Sequence, residues 1–447
     1  MIPIGASATI RAAVASVDIT PPVGYYLGGY GARTEPSNAV RDPLHGRVLL
    51  LDNGRVRLAI ITLDLLGLKW ETTQEVRRAV SAAAGVAAEN ILVSYSHTYS
   101  GPDTRRYDAY LTLVAEKLAG AALVAGRHLA PAQVIYAEDT IDFSTNRRRR
   151  DAEGVMRMWP NLAGPVDRRV RVLRFDTEDC KPLALLFHAV CHANALSSPN
   201  LAISADFPGV AQDFVANALP GCTPMFVQGC TGDIRPNLPA EEGFRSASED
   251  DLRWCGYSLG AAAVRSAARA GVPEHRTAGA LGGELGAAET VLSLPNRNGE
   301  ATLYPVQALR LGDLLLVALA GEPTLSFATQ LEERLKGWRQ VLVAGYSNAM
   351  VGYIAAASMY PEGGYEVSLG ANPFTPECEG VVLDGVATLA GRLKHEPRGT
   401  CPAPSTAGRS RTHPEQRGGQ LRQDLPAVCG ADSAGRGHDL PLLLDGG

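Results

Sequence analysis

Six polar residues in this sequence each close a short apolar run and precede a turn-prone stretch. LAIITLD ends at Asp64, ILVSYSH at His97, ALLFHAVCH at His192 and MFVQGCTGD at Asp233. LLLVALAGE ends at Glu322, and VLVAGYSNAMVGY reaches Tyr353 shortly after its run stops. If the runs are strands of one sheet, their carboxyl ends gather two imidazoles, several carboxylates and a phenol, and open sheets bind ligands outside those ends. Two histidines and one carboxylate make a metal set that leaves room for water or substrate, suited to zinc or to Fe(II).

Each of these residues also has a structural reading. A single strand-end histidine is more often a satisfied structural residue than a ligand. Glu322, followed by Pro323, is placed to open a helix, where proline fits the first turn, and Asp64 is placed to cap one. His188 shares a face with His192 by two-residue alternation and reads as a core or supporting histidine. Arg147 to Arg150 form a run of four arginines, which for Arg149 and Arg150 reads as a solvated turn. Residues 256–260, GYSLG, match the G-x-S-x-G elbow of serine hydrolases, which needs a strand before the serine. SASEDDLRWC precedes it and GAAAVRSAARA follows, so Ser258 is expected inside a helix.

The elements that must position these residues follow from composition and period. With 447 residues, 45% hydrophobic, the chain is long enough for one large core or two smaller ones. Gly (47) and Pro (29) are plentiful and aromatics few (6%), which fits many tight turns between short elements. Apolar runs alternating with segments of helical period predict an α/β protein, mixed β-sheet layers flanked by helices. Helices are expected at 71–84, 109–125, 207–219, 249–270 and 325–335, the fourth opening at Ser246 or Ser248 ahead of Glu249, Asp250 and Asp251. Residues 1–394 read as a single catalytic domain. From 395 to 447 the chain is rich in Pro, Gly, Arg and Ser without apolar period, and a disordered tail is expected.

A formal net charge of -5 argues against a nucleic-acid or anionic-membrane partner. Apolar runs such as 314–320 fall short of a transmembrane segment. Eight cysteines without CxxC spacing suit a reducing compartment. The N-terminus lacks the charged start and apolar stretch of a signal peptide, so a cytoplasmic location is expected.

Motifs spread over residues 13–394 resemble the neutral/alkaline, non-lysosomal ceramidases and their bacterial relatives. They begin with VDITPPVG and GGYGAR (17–33), DPLHGRVLLLD (42–52), TLDLLGL (62–68) and SHTYSGP (96–102). NRR (146–148), GPVDRRVRVLRF (164–175), CHANAL with NLAISADFPG (191–209) and GCTGDIRPN (229–237) follow in the family's order. AGEPT (320–324), GYSNAMVGY (345–353) and GGYE (363–366) complete the set. The resemblance implies zinc-dependent hydrolysis of an N-acyl amide, ceramide or another N-acylated small molecule, with lipids among the candidates. It implies zinc ligands at His97, His192, Glu322 and Tyr353, a substrate-side arginine at Arg147 and a second active-site tyrosine at Tyr365.

Two positions depart from the ceramide-cleaving pattern. Tyr99 stands where those members usually have histidine, and Arg235 where they have serine. Both fall on the substrate side, as does Asp233. Arg235 is expected either to hold a carboxylate or phosphate of a more polar substrate or to ion-pair with Asp233. The competing readings are a serine α/β-hydrolase using GYSLG, a non-haem iron oxygenase on the same histidines and glutamate, and a non-catalytic ceramidase-like protein. Oligomeric state is not legible.

Overall fold

The structure, a computed structural model, describes residues 9–395. The expected tail lies outside the described residues except for His395, the last residue of a helix.

Three strand–helix–strand units form the skeleton. The strands Arg57–Leu63 and Ile91–Tyr95 run parallel, joined through the helix Trp70–Ala84. Pro182–Ala189 and Thr223–Gln228 are likewise parallel, joined through Asp206–Ala218. Leu314–Leu319 and Gln340–Ala344 repeat the arrangement with Leu325–Arg334 between them. Parallel neighbours need such a crossover, and it returns both strands of a pair with their carboxyl ends on the same side.

These units are divided between two sheets, in line with the expected mixed β-sheet layers, so the six runs are not all strands of one sheet. The first has eight strands, with Thr223–Gln228 beside Pro182–Ala189 at one edge and Arg57–Leu63 beside Ile91–Tyr95 at the other. Between them lie Arg169–Thr177, Ala130–Thr140, Ile10–Asp18 and His45–Asp52. The second has four strands: Leu285–Pro295, Ala301–Leu311, Leu314–Leu319 and Gln340–Ala344. Leu49, Ile60, Leu92, Leu186 and Val227 from one sheet pack with Leu309, Leu316 and Leu342 from the other. Alternate residues Val48, Leu50, Ile61 and Val93 pack instead with Val76, Val80, Val114 and Leu118 of the helices. A sheet covered on both faces takes near-continuous apolar strands, which is why the runs look alike in sequence.

The two edges of the larger sheet approach one another. Gln228 Nε2 donates to the Ser96 carbonyl at 3.1 Å and to the Cys191 carbonyl at 2.9 Å, tying the segment that leads into His97 to the one that leads into His192.

The expected helices are found within two residues of their bounds, and Ser248 with Asp251 forms a capping box on Glu249–Gly271. Asp108–Arg127 is, by length and composition, apolar enough to cross a membrane, a reach the apolar runs did not suggest. Its Leu111, Val114, Leu118 and Ala122 are buried in the core. Cys378–His395 was not expected; its Val382, Val386 and Leu389 cover the outer face of the four-stranded sheet. Glycines weaken its helical signal, yet Gly385 permits close approach, since a Cβ there would lie 2.9 Å from Leu292 Cδ1. All six cysteines among the described residues are free thiols.

Candidate metal centre

His97 lies two residues beyond its strand with φ of 62°, a left-handed conformation unusual for a non-glycine residue. Its amide donates to the Leu65 carbonyl at 3.0 Å, and its Nδ1 lies 2.6 Å from the Leu66 carbonyl. His192 follows Pro182–Ala189, the strand next to the opposite edge, and places Nδ1 2.8 Å from the Thr231 carbonyl. A carbonyl oxygen only accepts, so in both rings Nδ1 carries a proton and Nε2 is the atom turned toward Glu322.

Glu322 arrives from the second sheet. Its Oε2 is 3.3 Å from His97 Nε2 and 3.2 Å from His192 Nε2, and the candidate ligand atoms of the three residues lie within 4.8 Å of one another. Burial pushes His192 down to about 4, so its ring is neutral at pH 7. Burial works to raise the Glu322 carboxyl, but the imidazoles beside it outweigh that and hold it below the usual range. Two imidazole Nε2 atoms and a carboxylate oxygen thus converge on one buried point, with both Nδ1 atoms already spent on carbonyls, and this donor set fits a divalent metal.

Around the cluster the packing is aromatic. The Tyr346 ring stands 4.2 Å from that of His97, and Thr231 Oγ1 donates to the Tyr346 hydroxyl at 2.7 Å. Tyr353 is the register partner of Glu322 on a short parallel bridge. Its ring stacks 6.4 Å from His192, and its buried hydroxyl has no hydrogen-bond partner. Burial keeps that phenol well above its ordinary pKa and protonated at pH 7, although Arg147 nearby opposes the effect. The Arg147 guanidinium lies 5.3 Å from the Tyr353 ring and 5.6 Å from the Tyr365 ring. Its Nε donates to Glu366 Oε1 at 2.8 Å, while Nη2 is buried without a partner. Tyr365 is half-exposed.

Tyr99 sets its hydroxyl 3.4 Å from His192 Nε2, with its ring against Tyr30 at 4.8 Å. Asp233, expected on the substrate side, spends its oxygens internally: it accepts from the Leu325 amide at 2.8 Å and from Asn146 Nδ2 at 3.1 Å. The anticipated ion pair between Arg235 and Asp233 is not formed. Arg235 lies over the Phe244 ring at 4.2 Å instead. The arginine run is a strand, Ser144–Arg150, rather than a turn, because it pairs with Met156–Asn161; Arg149 and Arg150 are nonetheless exposed. Asp64 accepts from Arg47 at 3.0 Å and stays outside the cluster. His188 meets the Val343 carbonyl at 3.0 Å between the sheets. Ser258 falls within the helix Glu249–Gly271, with no strand before it to form an elbow.

A cleft of about 450 Å³ opens over the cluster, lined among others by Tyr30, Arg33, Lys69, His97, Tyr99, Glu322 and Tyr365. Three residues of this neighbourhood were not singled out from sequence: Glu366, Tyr346 and Gln228. The first two lie in GGYE and GYSNAMVGY and were open to recognition as polar or aromatic residues in matched motifs. Gln228 ends an apolar strand as the named six do, and that was its signal.

Fold and cluster together define a layered α/β protein with a buried two-histidine, one-carboxylate centre at the carboxyl ends of its parallel strands. No family model matches the chain. The chain is similar to the neutral ceramidase of Mycobacterium tuberculosis, 23% identical over 452 residues, which covers 76% of this chain and 70% of that protein. Among solved structures it is similar to the neutral ceramidase of Pseudomonas aeruginosa, with a TM-score of 0.73 and 17% identity, covering 89% of this chain and 76% of the other. A structure described as ceramidase complexed with C2 gives a TM-score of 0.72 at 17% identity, over 89% and 78% of the two chains. The chain is neutral-ceramidase-like in sequence, and its fold is that of the ceramidase structures.

Proposed function

We propose that this chain is a zinc-dependent amidohydrolase that cleaves a linear N-acyl amide, as the name of its ceramidase relative suggests. The observation that carries the reading is the buried convergence of His97 Nε2, His192 Nε2 and Glu322 Oε2. Those three side chains would hold the ion, with the Tyr353 hydroxyl as fourth candidate ligand. A bound zinc ion supplies Lewis-acid chemistry, lowering the pKa of water from 15.7 to about 7 and polarising an amide carbonyl.

The chain's own residues do the rest. Arg147, held by Glu366, keeps Nη2 free to donate to an oxygen that gains negative charge during amide cleavage. Its charge stays fixed because Glu366 locks the fork, so little reorganisation accompanies the reaction. Tyr365 lines the cleft and would hand a proton to the departing amine. Tyr99 closes the site beside His192 and limits the width available to the substrate. The free thiols support assignment to a reducing compartment such as the cytoplasm.

The test is hydrolysis of a panel of N-acylated lipids and amino acids by purified protein, before and after chelation. Chelation should abolish turnover and added Zn²⁺ should restore it, while a fluorophosphonate should leave it unchanged. Turnover that resists chelation but yields to the fluorophosphonate would return the chain to the serine hydrolases.

A further inference from the structure

Arg235 is a buried cation without a counter-charge. It stands on the strand Ile234–Pro236 and is 7% exposed. Its one hydrogen bond runs from Nη2 to the Asn194 carbonyl at 3.5 Å, and its Nε is buried with no partner. Among the described residues no carboxylate pairs with it. Arg147, by contrast, is neutralised by Glu366. A guanidinium taken from water without compensation is costly, and proteins keep one where a ligand completes it.

Two further unspent donors belong to the same neighbourhood. The Tyr30 hydroxyl is buried without a partner, and Arg235 is the charged group that acts on it most strongly. Arg147 Nη2 is likewise unpartnered. Tyr99 joins this group to the metal centre, with its ring 4.8 Å from Tyr30 and its hydroxyl 3.4 Å from His192 Nε2. Tyr30 and Tyr99 line the cleft with Arg235 buried outside its wall, and the cleft carries the same sign. Arg33, Lys69, Arg105 and Arg106 line it. Arg105 and Arg106 share Asp103, whereas Arg33 donates only to backbone carbonyls.

We propose that the cleft is built for an N-acyl amide carrying a carboxylate beside the scissile bond, an N-acyl amino acid rather than an N-acyl amino alcohol. Arg235 is the residue that sets this preference. The inference rests on the amidase reading and names its substrate class. A carboxylate offers two oxygens to the planar fork of Arg235, and Tyr30 supplies a third donor. In the reaction, water adds across the amide C–N bond. The acyl carbon leaves as a carboxylate, the nitrogen takes the proton, and the amino acid departs with its own carboxylate unchanged. A neutral amino-alcohol amide would leave the Arg235 charge uncompensated under a bound substrate.

The test compares N-lauroyl-L-serine with N-lauroylserinol, which share an acyl chain and a hydroxymethyl group and differ by carboxylate against CH₂OH. Both kcat/KM and calorimetric Kd are measured on the full chain, wild type and Arg235→Ser. Wild type should favour the serine compound by about tenfold or more in both quantities. Arg235→Ser should bring the ratio near unity while shifting the serinol values by less than roughly threefold. Tyr30→Phe, a milder change should Arg235→Ser fail to fold, should weaken only the acid, by roughly threefold to tenfold. Equal handling of the two by wild type, binding of neither, or a preference that persists in both variants overturns the proposal. A binding preference without turnover of either compound leaves the anion site standing and sinks the amidase reading instead.

Discussion

Glu322 and Tyr353 face each other across a two-residue parallel bridge, so the backbone register that brings in the carboxylate also brings in the phenol. The step into that bridge is Gly321, with φ of 65°. A Cβ there would meet the Gly352 carbonyl oxygen at 2.4 Å, and the bridge holds that oxygen in place through the Glu322 amide at 2.9 Å.

Gly321→Ala should therefore lower stability by on the order of 2 kcal/mol or more and displace Glu322 from the histidines. Urea unfolding together with metal content checks both. Unchanged stability with full metal retention would show that the bridge does not fix the carboxylate.

Gln228 joins the two histidine-bearing segments through Ser96 and Cys191. Gln228→Leu leaves two buried carbonyls unpaired, a loss of roughly 2–4 kcal/mol, and frees the edges of the sheet to part. Metal affinity, measured by competition with a chelator of known strength, should fall by roughly tenfold to a hundredfold. An unaltered affinity would mean the segments are held elsewhere.

Arg147→Gln removes the free donor while Glu366 stays within the protein. The expected loss is in kcat, by about 10²–10³, with metal content intact and KM little changed. Steady-state kinetics and elemental analysis on one preparation decide it. A rise in KM with kcat unchanged would make Arg147 a binding residue only.

His188 gives a pH signature separate from the metal. Burial, reinforced by Arg171, pushes its pKa from 6.5 to about 3. Between those values the unfolded chain binds a proton that the folded chain refuses, so stability falls as pH drops through this window and is untouched above it. His188→Gln keeps a donor for the Val343 carbonyl and removes the proton uptake. The variant should lose less stability on acidification from pH 6.5, by up to about 1.4 kcal/mol per pH unit. Parallel stability–pH curves for the two proteins would place the ring's pKa near its ordinary value.

The sequence made the metal set legible because each ligand ends an apolar run, and strand ends are where a sheet presents polar groups. The resemblance then chose Glu322 among several carboxylates. What the runs did not reveal was their division between two sheets: 57–63 and 314–319 carry the same apolar signal, and only pairing between distant segments separates them. Cys378–His395 escaped because Gly380, Gly385 and Gly391 interrupt a pattern that tertiary packing restores. Asp233 and Arg235 looked like partners by sequence proximity. Asp233 precedes the strand Ile234–Pro236 and turns to the Leu325 amide, whereas Arg235, within it, lies over Phe244.

The most direct measurement is metal content set beside activity, for wild type and His97→Ala purified alike. The expected result is about one zinc per wild-type chain, little in the variant, and N-acyl amide hydrolysis that follows the metal through chelation and restoration. A metal-free wild-type protein that still turns over substrate, or a His97→Ala protein that keeps its full complement of zinc, would contradict it.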